Sequence, residues 1–347
     1  LEENYVYLKD LIKKAEKKVS EHLEEFIVSV DTPNTLIIDL SLKKNLEKKT
    51  SLEKIYTNLN LEVSQLINNN YDNYFIMHVI NSKIITDGAE RNYLNNKNIL
   101  IKNIIIEFKI ICYPKELINK ISKIFLKNNL EVRKFYCGTY LKSTYYSKKY
   151  NNDKKFFLDI GFERASLLYF EGDKLKYLNS ISVGGNHITK DISKVFKIEY
   201  EVAENIKKSF NKSETEFSYI KNINNNEAKF FDKIIKNNIS IDTLKKVVLY
   251  RIQEIIDLSF RKLKKNYIDF EYKNIELILI GGGSKLFDKN SFHLNDQFNI
   301  KSLSYYDEKL DEICRAALDF YLNNDEIKRK NNKKKGFFEI FFNFFSK

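Results

Sequence analysis

The sequence predicts an α/β fold of two lobes, because strand and helix patterns alternate through its second half. Two apolar runs, Phe156–Ile160 and Ile275–Ile280, have the composition of buried strands. Each run ends in a glycine turn, at Gly161 and at Gly281–Gly283. A glycine turn at the carboxyl end of a strand lets the backbone approach a ligand closely, and open α/β sheets bind ligands at that edge. We therefore expect a binding cleft where these two strands end.

Length and composition predict more than one structural unit around a substantial core. The chain has 347 residues, of which 43% are hydrophobic and 14% aromatic, and single cores stop growing near about 250–300 residues. Acidic residues are interleaved with the basic residues that give the formal net charge of +12. Lysines spread over solvated faces explain this charge better than a nucleic-acid footprint does, so we predict no nucleic-acid partner.

The reactive side chains exclude several classes of site. Cys112, Cys137 and Cys314 are widely spaced and do not cluster with the histidines, so the sequence encodes neither a disulfide framework nor a zinc site. We find no Ser-His-Asp or Cys-His spacing of a hydrolase. Uninterrupted apolar stretches stay shorter than the ~20 residues of a spanning helix, and a reduced cytosolic compartment fits. Because the chain begins with Leu1 instead of Met, we expect further residues upstream.

The first third of the chain predicts a helix followed by a compact unit of strands and one helix. Residues 1–21 keep apolar side chains on one helical face. Alternating apolar residues then predict four strands, and Ser51 is a suitable cap for the helix between them. In order, these are strands Glu25–Val30 and Thr35–Leu42, helix Ser51–Ile67, and strands Tyr74–Thr86 and Ile99–Cys112. Residues 22–112 should form a two-layer α+β unit.

The rest of the chain predicts helices that alternate with the two apolar strands. A hairpin around Gly172-Asp173 should follow the first of these strands, and a polar linker, Tyr150–Lys155, should precede it. The predicted helices are Glu116–Lys127, Val132–Tyr146, Thr189–Phe196, one that starts near Glu201, Ile241–Lys264 and Asp307–Leu322.

Four short motifs, in one order over little more than a hundred residues, are the strongest functional signal. They are Leu158-Asp159-Ile160-Gly161, Val183-Gly184-Gly185-Asn186-His187-Ile188-Thr189, Glu204-Asn205-Ile206-Lys207-Lys208 and Leu279-Ile280-Gly281-Gly282-Gly283-Ser284. Their order resembles the second half of the actin-like ATPase superfamily. Within it, the segments Val183–Ile192 and Ala203–Lys208 are most similar to the bacterial cell-division protein FtsA. The resemblance implies an actin-like, ribonuclease-H-like fold of two lobes with a small inserted α+β subdomain.

The resemblance also implies the cofactor, ATP with Mg²⁺, and its contacts. It implies that Asp159 holds a magnesium-bound water and that Gly161 lies in the second phosphate loop. The other cofactor-binding positions that it implies are Gly184, Gly185, Glu204, Lys207, Lys208, Gly281, Gly282 and Gly283.

The phosphate loop departs from the family pattern. Where the family has further glycines and a threonine after Gly161, this chain has Phe162, Glu163 and Arg164. A carboxylate about 4 Å from a phosphate charge would repel it by roughly 4 kcal/mol at an effective dielectric of 20. The first phosphate-loop hairpin should lie upstream of Leu1 and is missing from this sequence. We predict weak ATP binding at most, with doubtful hydrolysis; an ordinary core strand with an ordinary turn remains the alternative for Phe156–Ile160.

The resemblance divides the chain into lobes and smaller parts. Residues 1–21 and 113–150 would belong to the first lobe, on either side of the inserted subdomain at 22–112. His78-Val79-Ile80 and Ile84-Ile85-Thr86-Asp87-Gly88 resemble the signature of the FtsA insert. The second lobe would comprise 151–200 with the phosphate-type turn, 201–265 as its small subdomain, and 266–322 with the last glycine motif and closing helix. A flexible basic linker at 323–335 and a terminal helix at 336–347 would follow.

The C-terminal segment Gly336–Lys347 predicts an amphipathic helix that lies on a membrane. Its apolar arc consists of Phe337, Phe338, Ile340, Phe341, Phe342, Phe344 and Phe345. This segment would span only ~18 Å, which is less than the ~30 Å hydrocarbon core. The lysines and arginine just before it would attract an anionic membrane surface, and FtsA-type proteins carry a similar tail. A core helix is the alternative.

The resemblance finally implies partners and a location. It implies that the small subdomain binds the C-terminal peptide of the tubulin-like protein FtsZ, for which Arg251 and Arg261 are candidate contacts. Self-association into filaments, contacts with other division proteins, and a place on the cytoplasmic face of the inner membrane at the division site are also implied. A PilM-like pilus-assembly protein is an alternative. So is a phosphotransferase of the same fold, either a sugar kinase or a polyphosphatase, although Phe162-Glu163 argues against it.

Overall fold

The computed structural model describes residues 2–91, 98–150, 152–210, 236, 238–266, 275–286, 300–306 and 308–329. The strands within these ranges form three sheets, of five, four and two strands. The elements of the first part are α1 (Glu2–Val19), β1 (Glu25–Val30), β2 (Leu36–Ser51), α2 (Leu52–Asn70), β3 (Tyr74–Thr86), β4 (Ala89–Glu90), β5 (Leu100–Pro114), α3 (Lys115–Leu126), β6 (Glu131–Cys137) and α4 (Gly138–Ser147).

The elements of the second part follow the same alternation of strands and helices. They are β7 (Lys154–Ile160), β8 (Ala165–Glu171), β9 (Lys174–Ile181), α5 (Gly185–Phe196), α6 (Tyr200–Phe210), α7 (Ile241–Asn266), β10 (Ile275–Ile280), a 3-10 turn (Gly282–Leu286), β11 (Ile300–Tyr305) and α8 (Leu310–Arg329).

The second lobe is built on the five-stranded sheet, with strand order β11-β10-β7-β8-β9. Strand β7 pairs antiparallel with β8 and parallel with β10, which pairs parallel with β11. Residues 155–160 of β7 are buried without interruption, because helices cover one face of the sheet and the first lobe covers the other. The predicted strands and hairpin are present. Strand β11 was not predicted, since only Ile300 and Leu303 are aliphatic within it.

The inserted subdomain is an antiparallel sheet of order β2-β5-β3-β4 with α2 packed against one face. It begins at Leu36, so the predicted boundary at residue 22 is wrong. Strand β1 instead pairs in parallel with β6, which lies more than ninety residues further along the chain. Its residues Phe26 and Val28 pack against α1 and α3, and this two-stranded sheet belongs to the first lobe.

The structure also differs from the prediction in the first lobe and at the end of the closing helix. The segment Val132–Tyr146 is not one helix, because residues up to Cys137 form β6 and only Gly138 begins α4. Pairing with β1 and burial of Phe135, Tyr136 and Cys137 favour the strand. Helix α8 continues to Arg329, so the predicted linker is helical over residues 323–329. Residues 330–347, including the predicted membrane helix, lie outside the described residues.

No helix among the described residues is both long enough and apolar enough to cross a membrane.

Candidate functional site

The first and last motifs meet at one edge of the five-stranded sheet. Because β7 and β10 are parallel neighbours, Asp159 pairs with Ile280 and both strands end together. Gly281 has a φ of +84°, and a Cβ there would lie 2.4 Å from Asp159 Oδ1. A Cβ at Gly283 would lie 2.4 Å from Ile160 Cγ2, whereas Gly282 has open space beside it. Gly281 and Gly283 are therefore required by close packing of the two strand ends, and only Gly282 is free to face a ligand.

The second motif packs directly on the turn that follows β7. A Cβ at Gly184 would come within 2.6 Å of Gly161 O. The amide of Gly185 donates to Gly161 O at 2.9 Å, and the amide of Asn186 donates to Phe162 O at 2.6 Å. These are among the first amides of α5, which a phosphate would otherwise bind. In this chain, the protein's own turn accepts their hydrogen bonds.

The third motif places a buried lysine beside the second motif. Lys207 is 6% exposed. Its Nζ donates to Gly185 O at 3.0 Å, to Thr189 Oγ1 at 2.8 Å and to Glu204 Oε2 at 2.7 Å. Since an ammonium group has three donors, all of those on Lys207 have partners in the protein.

The surroundings of this lysine perturb both members of its ion pair. Burial lowers the pKa of Lys207, and the neighbouring Glu204 only partly opposes this effect. Burial alone would raise the pKa of Glu204, but hydrogen bonds from Lys207 and Thr189 lower it. Lys208, whose side chain is 69% exposed, adds an ion pair to Glu204 Oε1 at 3.3 Å. The third motif thus braces α6 against α5, and Lys208 is its solvent-facing member.

Asp159 is buried, at 4% exposure, and both of its carboxylate oxygens have partners in the protein. Oδ2 accepts a hydrogen bond from Thr139 Oγ1, and Lys142 Nζ lies 3.2 Å from Oδ1. Burial by itself would raise the pKa of Asp159, but Lys142 and Arg164 outweigh burial and lower it. The carboxylate is therefore ionised, and its charge is neutralised internally.

Arg164 lies in the turn between β7 and β8, where the family pattern would have small residues. It is 6% exposed. Its Nη2 forms an ion pair with Asp31 Oδ1 at 2.7 Å and donates to Thr139 Oγ1, and its Nη1 donates to the hydroxyl of Tyr113 at 3.4 Å. Asp31 also accepts from the Thr139 amide at 3.1 Å. Although burial would lower the pKa of Arg164, Asp31 raises it above its usual range.

A second chain of contacts runs from Lys142 to the last glycine motif. Lys142 Nζ lies 3.1 Å from Glu308 Oε1, and Glu308 Oε2 accepts from the amide of Gly281 at 2.9 Å. At the ends of β7 and β10, these contacts join three carboxylates to two cations, Asp31, Asp159 and Glu308 to Lys142 and Arg164. Sequence reasoning missed Asp31, Thr139, Lys142 and Glu308. A local signal was Gly138, a glycine directly after the apolar residues Phe135, Tyr136 and Cys137.

Comparisons with known proteins agree with this architecture. The family model for the cell division protein FtsA matches residues 156–300. The solved PilM-PilN type IV pilus biogenesis complex is similar over 91% of this chain and 84% of the other, with 14% identity and a TM-score of 0.56. The chain has an actin-like fold.

Other solved actin-like structures match with lower scores. MreB 5 of Spiroplasma citri bound to AMPPNP matches over 63% of this chain and 66% of the other, with 17% identity and a TM-score of 0.40. A Bacteroides thetaiotaomicron protein with an actin-like ATPase fold and unknown function matches over 91% and 80%, with 13% identity and a TM-score of 0.36. No curated protein matches this sequence.

The phosphate end of this actin-like cleft does not fit a magnesium nucleotide. Asp159 is already paired with Lys142, and the first amides of α5 already have acceptors. With Asp31 and Glu308 included, the three carboxylates outnumber the two cations, which disfavours a polyanion. Among the described residues, no group of three or more His, Cys, Asp or Glu side chains is arranged to hold a metal ion.

The part of the cleft between the turn after β7 and the third motif is more open. Phe162 is 54% exposed, and its ring centre lies 5.7 Å from Lys207 Nζ. Beside it, Asn186 accepts from the hydroxyl of Tyr200 at 2.7 Å and donates to Glu163 at 3.5 Å. An exposed aromatic ring next to polar side chains is suited to a flat heterocycle.

The two candidate partner residues occupy different environments on α7. The guanidinium of Arg251 is held by both oxygens of Asp191, at 2.6 and 2.9 Å, and it also pairs with Glu254. It therefore fastens α7 to α5. Arg261 is exposed on the same helix and is the better placed of the two to meet a partner.

Proposed function

We propose that this chain is an actin-like scaffold of the FtsA type, which attaches the FtsZ ring to the cytoplasmic face of the inner membrane at the division site. In this role it associates with itself into filaments and recruits later division proteins. The observation that carries the proposal is the FtsA family match over residues 156–300. This span contains all four motifs, from Asp159 to Gly283.

The sequence of the C-terminal segment supports membrane attachment. One arc of Gly336–Lys347 carries phenylalanine and isoleucine side chains, and basic residues precede it. Each buried phenylalanine contributes roughly 1 kcal/mol of apolar burial. Changing both Phe341 and Phe342 to Glu should therefore weaken binding to anionic vesicles by at least about 30-fold.

Vesicle co-sedimentation of the full chain tests this attachment. Deletion of residues 336–347 and the double Phe→Glu variant should both leave the protein in the supernatant. Leu61→Glu, on the exposed face of α2 (59% exposed), is the matched control and should pellet like the wild type. Equal pelleting of the wild type and the deletion would refute membrane attachment through this segment.

The partner proposal places the FtsZ C-terminal peptide on the small subdomain. The outer face of α7 presents Lys246, Tyr250 and Arg261, all exposed, which suits a peptide that carries both acidic and apolar residues. Affinity should be micromolar, and it should fall as salt rises, because exposed charges are screened over about 8 Å at physiological ionic strength.

A fluorescence-anisotropy titration with the FtsZ peptide from the same organism measures this contact. Lys246→Glu combined with Arg261→Glu should weaken binding about tenfold or more, whereas Lys54→Glu on α2 should not change it. Unchanged affinity in the double variant would show that the peptide does not bind this face of α7. Absence of binding by the wild type would contradict the FtsZ assignment.

The alternative within the same fold is a PilM-like pilus-assembly role. The similarity to the PilM-PilN complex over 91% of this chain favours it, whereas the FtsA family match and the C-terminal phenylalanine arc favour the division role. Presenting the protein with an FtsZ tail peptide and a PilN-type peptide in parallel separates the two, since each role requires a different one to bind.

We further propose that ATP, with its magnesium, binds this chain weakly at most and is not turned over. Steady-state phosphate release should stay well below about 1 per second, near the low end of ordinary enzymes. Release above that rate would instead favour the phosphotransferase alternative.

A further inference from the structure

We propose that an internal ion bridge centred on Arg164 joins the two lobes at the phosphate end of the cleft, so that lobe closure in this protein does not depend on a nucleotide. The proposal goes beyond the scaffold role, because it holds for any partner that the scaffold binds. It rests on the observation that the residues at the phosphate end of the cleft do not fit the magnesium nucleotide that an actin-like fold would lead one to expect.

The first link crosses directly from one lobe to the other. Arg164 follows β7 in the second lobe, while Asp31 follows β1 and Thr139 begins α4 in the first lobe. The Arg164–Asp31 ion pair is 2.7 Å long. The hydroxyl of Thr139 accepts a hydrogen bond from Arg164, and the amide of Thr139 donates one to Asp31. Tyr113, at the end of the inserted subdomain, donates to Asp31 at 3.2 Å. One guanidinium therefore contacts the first lobe and the subdomain together.

The second link runs through Lys142 of α4 and shares Asp159 with the first, since Arg164 Nη2 lies 4.0 Å from Asp159 Oδ2. Its Nζ lies 3.2 Å from Asp159 in the second lobe and 3.1 Å from Glu308, just before α8. Glu308 in turn accepts from the amide of Gly281. The carboxyl ends of both β7 and β10 are thus connected to one first-lobe helix.

These links occupy the groups that a magnesium nucleotide would use. The sheet edge is where open α/β folds bind their ligands, yet Asp159 already accepts from Thr139 and Lys142. A phosphate or cation entering here would separate buried charges from their partners, which is strongly unfavourable. The internal bridge and the ligand therefore compete for the same atoms.

The bridge can be tested by measuring the distance between the lobes in the full chain. Spin labels are placed at Leu126→Cys on α3 and Val195→Cys on α5, both exposed at 64% and 51%. The exposed Cys314 is changed to Ser, while Cys112 and Cys137 are buried. Double electron–electron resonance then gives the distance distribution with and without about 1 mM magnesium ATP, a concentration that would reveal even weak binding.

The variants separate an interlobe bridge from general destabilisation. Arg164→Gln should broaden the distribution and move it to longer distances. Arg251→Gln removes an arginine whose partners, Asp191 and Glu254, lie in the same lobe, so it should leave the distribution unchanged. If Arg164→Gln does not fold, Asp31→Asn removes the partner charge while keeping its shape, and the same broadening is expected.

The decisive comparison is between the interlobe distances measured with and without magnesium ATP. The wild-type distribution should be the same with and without magnesium ATP. Phe162→Gly combined with Glu163→Gly should not change this, because Asp159 keeps its partners. A wild-type distribution that narrows or shifts with magnesium ATP would overturn the proposal. So would a distribution in Arg164→Gln, or in Asp31→Asn where Arg164→Gln does not fold, that matches the wild type. The vesicle and peptide assays do not depend on these distance measurements, so the scaffold role and the ion bridge can be refuted independently of each other.

Discussion

Both ends of the cleft contain ion pairs between a buried cation and a carboxylate, but the two sets of ion pairs connect different parts of the molecule. At the phosphate end, Arg164 and Lys142 pair with carboxylates from both lobes. At the other end, beside the third motif, Lys207 pairs with Glu204 within the second lobe. In both clusters buried cations pair with carboxylates, but only the first cluster joins side chains from the two lobes.

This difference shows that a buried ion pair does not by itself indicate a ligand site. Buried pairs often cost as much desolvation as they return in attraction, so their position in the fold decides what they do. Lys207 holds two neighbouring helices at a fixed spacing. Arg164 fixes how one lobe lies on the other, and the two ends should therefore respond differently to substitution.

The largest effect is expected at the interlobe cluster. Arg164→Met removes the cation beside Asp31, whose side chain is 34% exposed, and it also breaks the hydrogen bonds to Thr139 and Tyr113. The free energy of unfolding should therefore fall by about 3 kcal/mol. Urea denaturation followed by circular dichroism measures it. In combination with Asp31→Asn, the two effects should be less than additive by about 1 kcal/mol or more. Strict additivity would mean that the two side chains are not coupled.

A smaller effect is expected at the intralobe cluster. Lys207→Met should lower the free energy of unfolding by about 2 kcal/mol, because Glu204 keeps its contacts with Thr189 and Lys208. The same denaturation experiment applies, with the exposed Lys208→Met as control. A loss as large as that of Arg164→Met would erase the difference between the two ends of the cleft.

A third contact between parts of the molecule should make stability depend on pH. His78 of the inserted subdomain is buried, and its Nε2 accepts from the amide of Cys137 in the first lobe at 2.9 Å. Its ring also lies against Tyr140 and Phe320. Burial, with a smaller contribution from Lys134, lowers its pKa from 6.5 to about 3.

The direction of this pH dependence follows from whether the folded or the unfolded chain binds a proton at His78. Between pH 6.5 and about 3, the unfolded chain is protonated at His78 and the folded chain is not. Stability should therefore fall with falling pH below 6.5, by up to about 1.4 kcal/mol per pH unit. His78→Gln keeps an acceptor but does not titrate, so its urea midpoint should change less between pH 6.5 and 5. An unchanged slope in this variant would assign the acid sensitivity to other groups.

The smallest effect is expected for Arg251→Gln. Its ion pairs with Asp191 and Glu254 are partly exposed, so the free energy of unfolding should fall by no more than about 1 kcal/mol. Thermal denaturation at low and high salt measures this, and the difference between variant and wild type should shrink as salt rises. A larger, salt-independent loss would place this arginine with the buried clusters.

The sequence by itself determined the second lobe and the meeting of its motifs. Strands β7 and β10 contain the mostly apolar runs Phe156–Ile160 and Ile275–Ile280, each followed by glycine. Such local patterns are typical of buried strands. From these strands the sequence predicted a cleft at their carboxyl ends, and the observed parallel pairing brings Asp159 to Gly281 there. The helices of the second lobe followed from local periodicity in the same way, although their ends shifted by several residues.

Only the tertiary structure decided what occupies the phosphate end of the cleft. Asp31, Lys142 and Glu308 come from three distant parts of the chain, and no local pattern relates them. Strand β6 was predicted as a helix because its pairing with β1 spans more than ninety residues. Local periodicity reports which face of an element is buried, whereas contacts between distant elements depend on how the lobes pack. For that reason the motifs predicted a nucleotide cleft, and the packing of the two lobes gave that cleft an internal ion bridge.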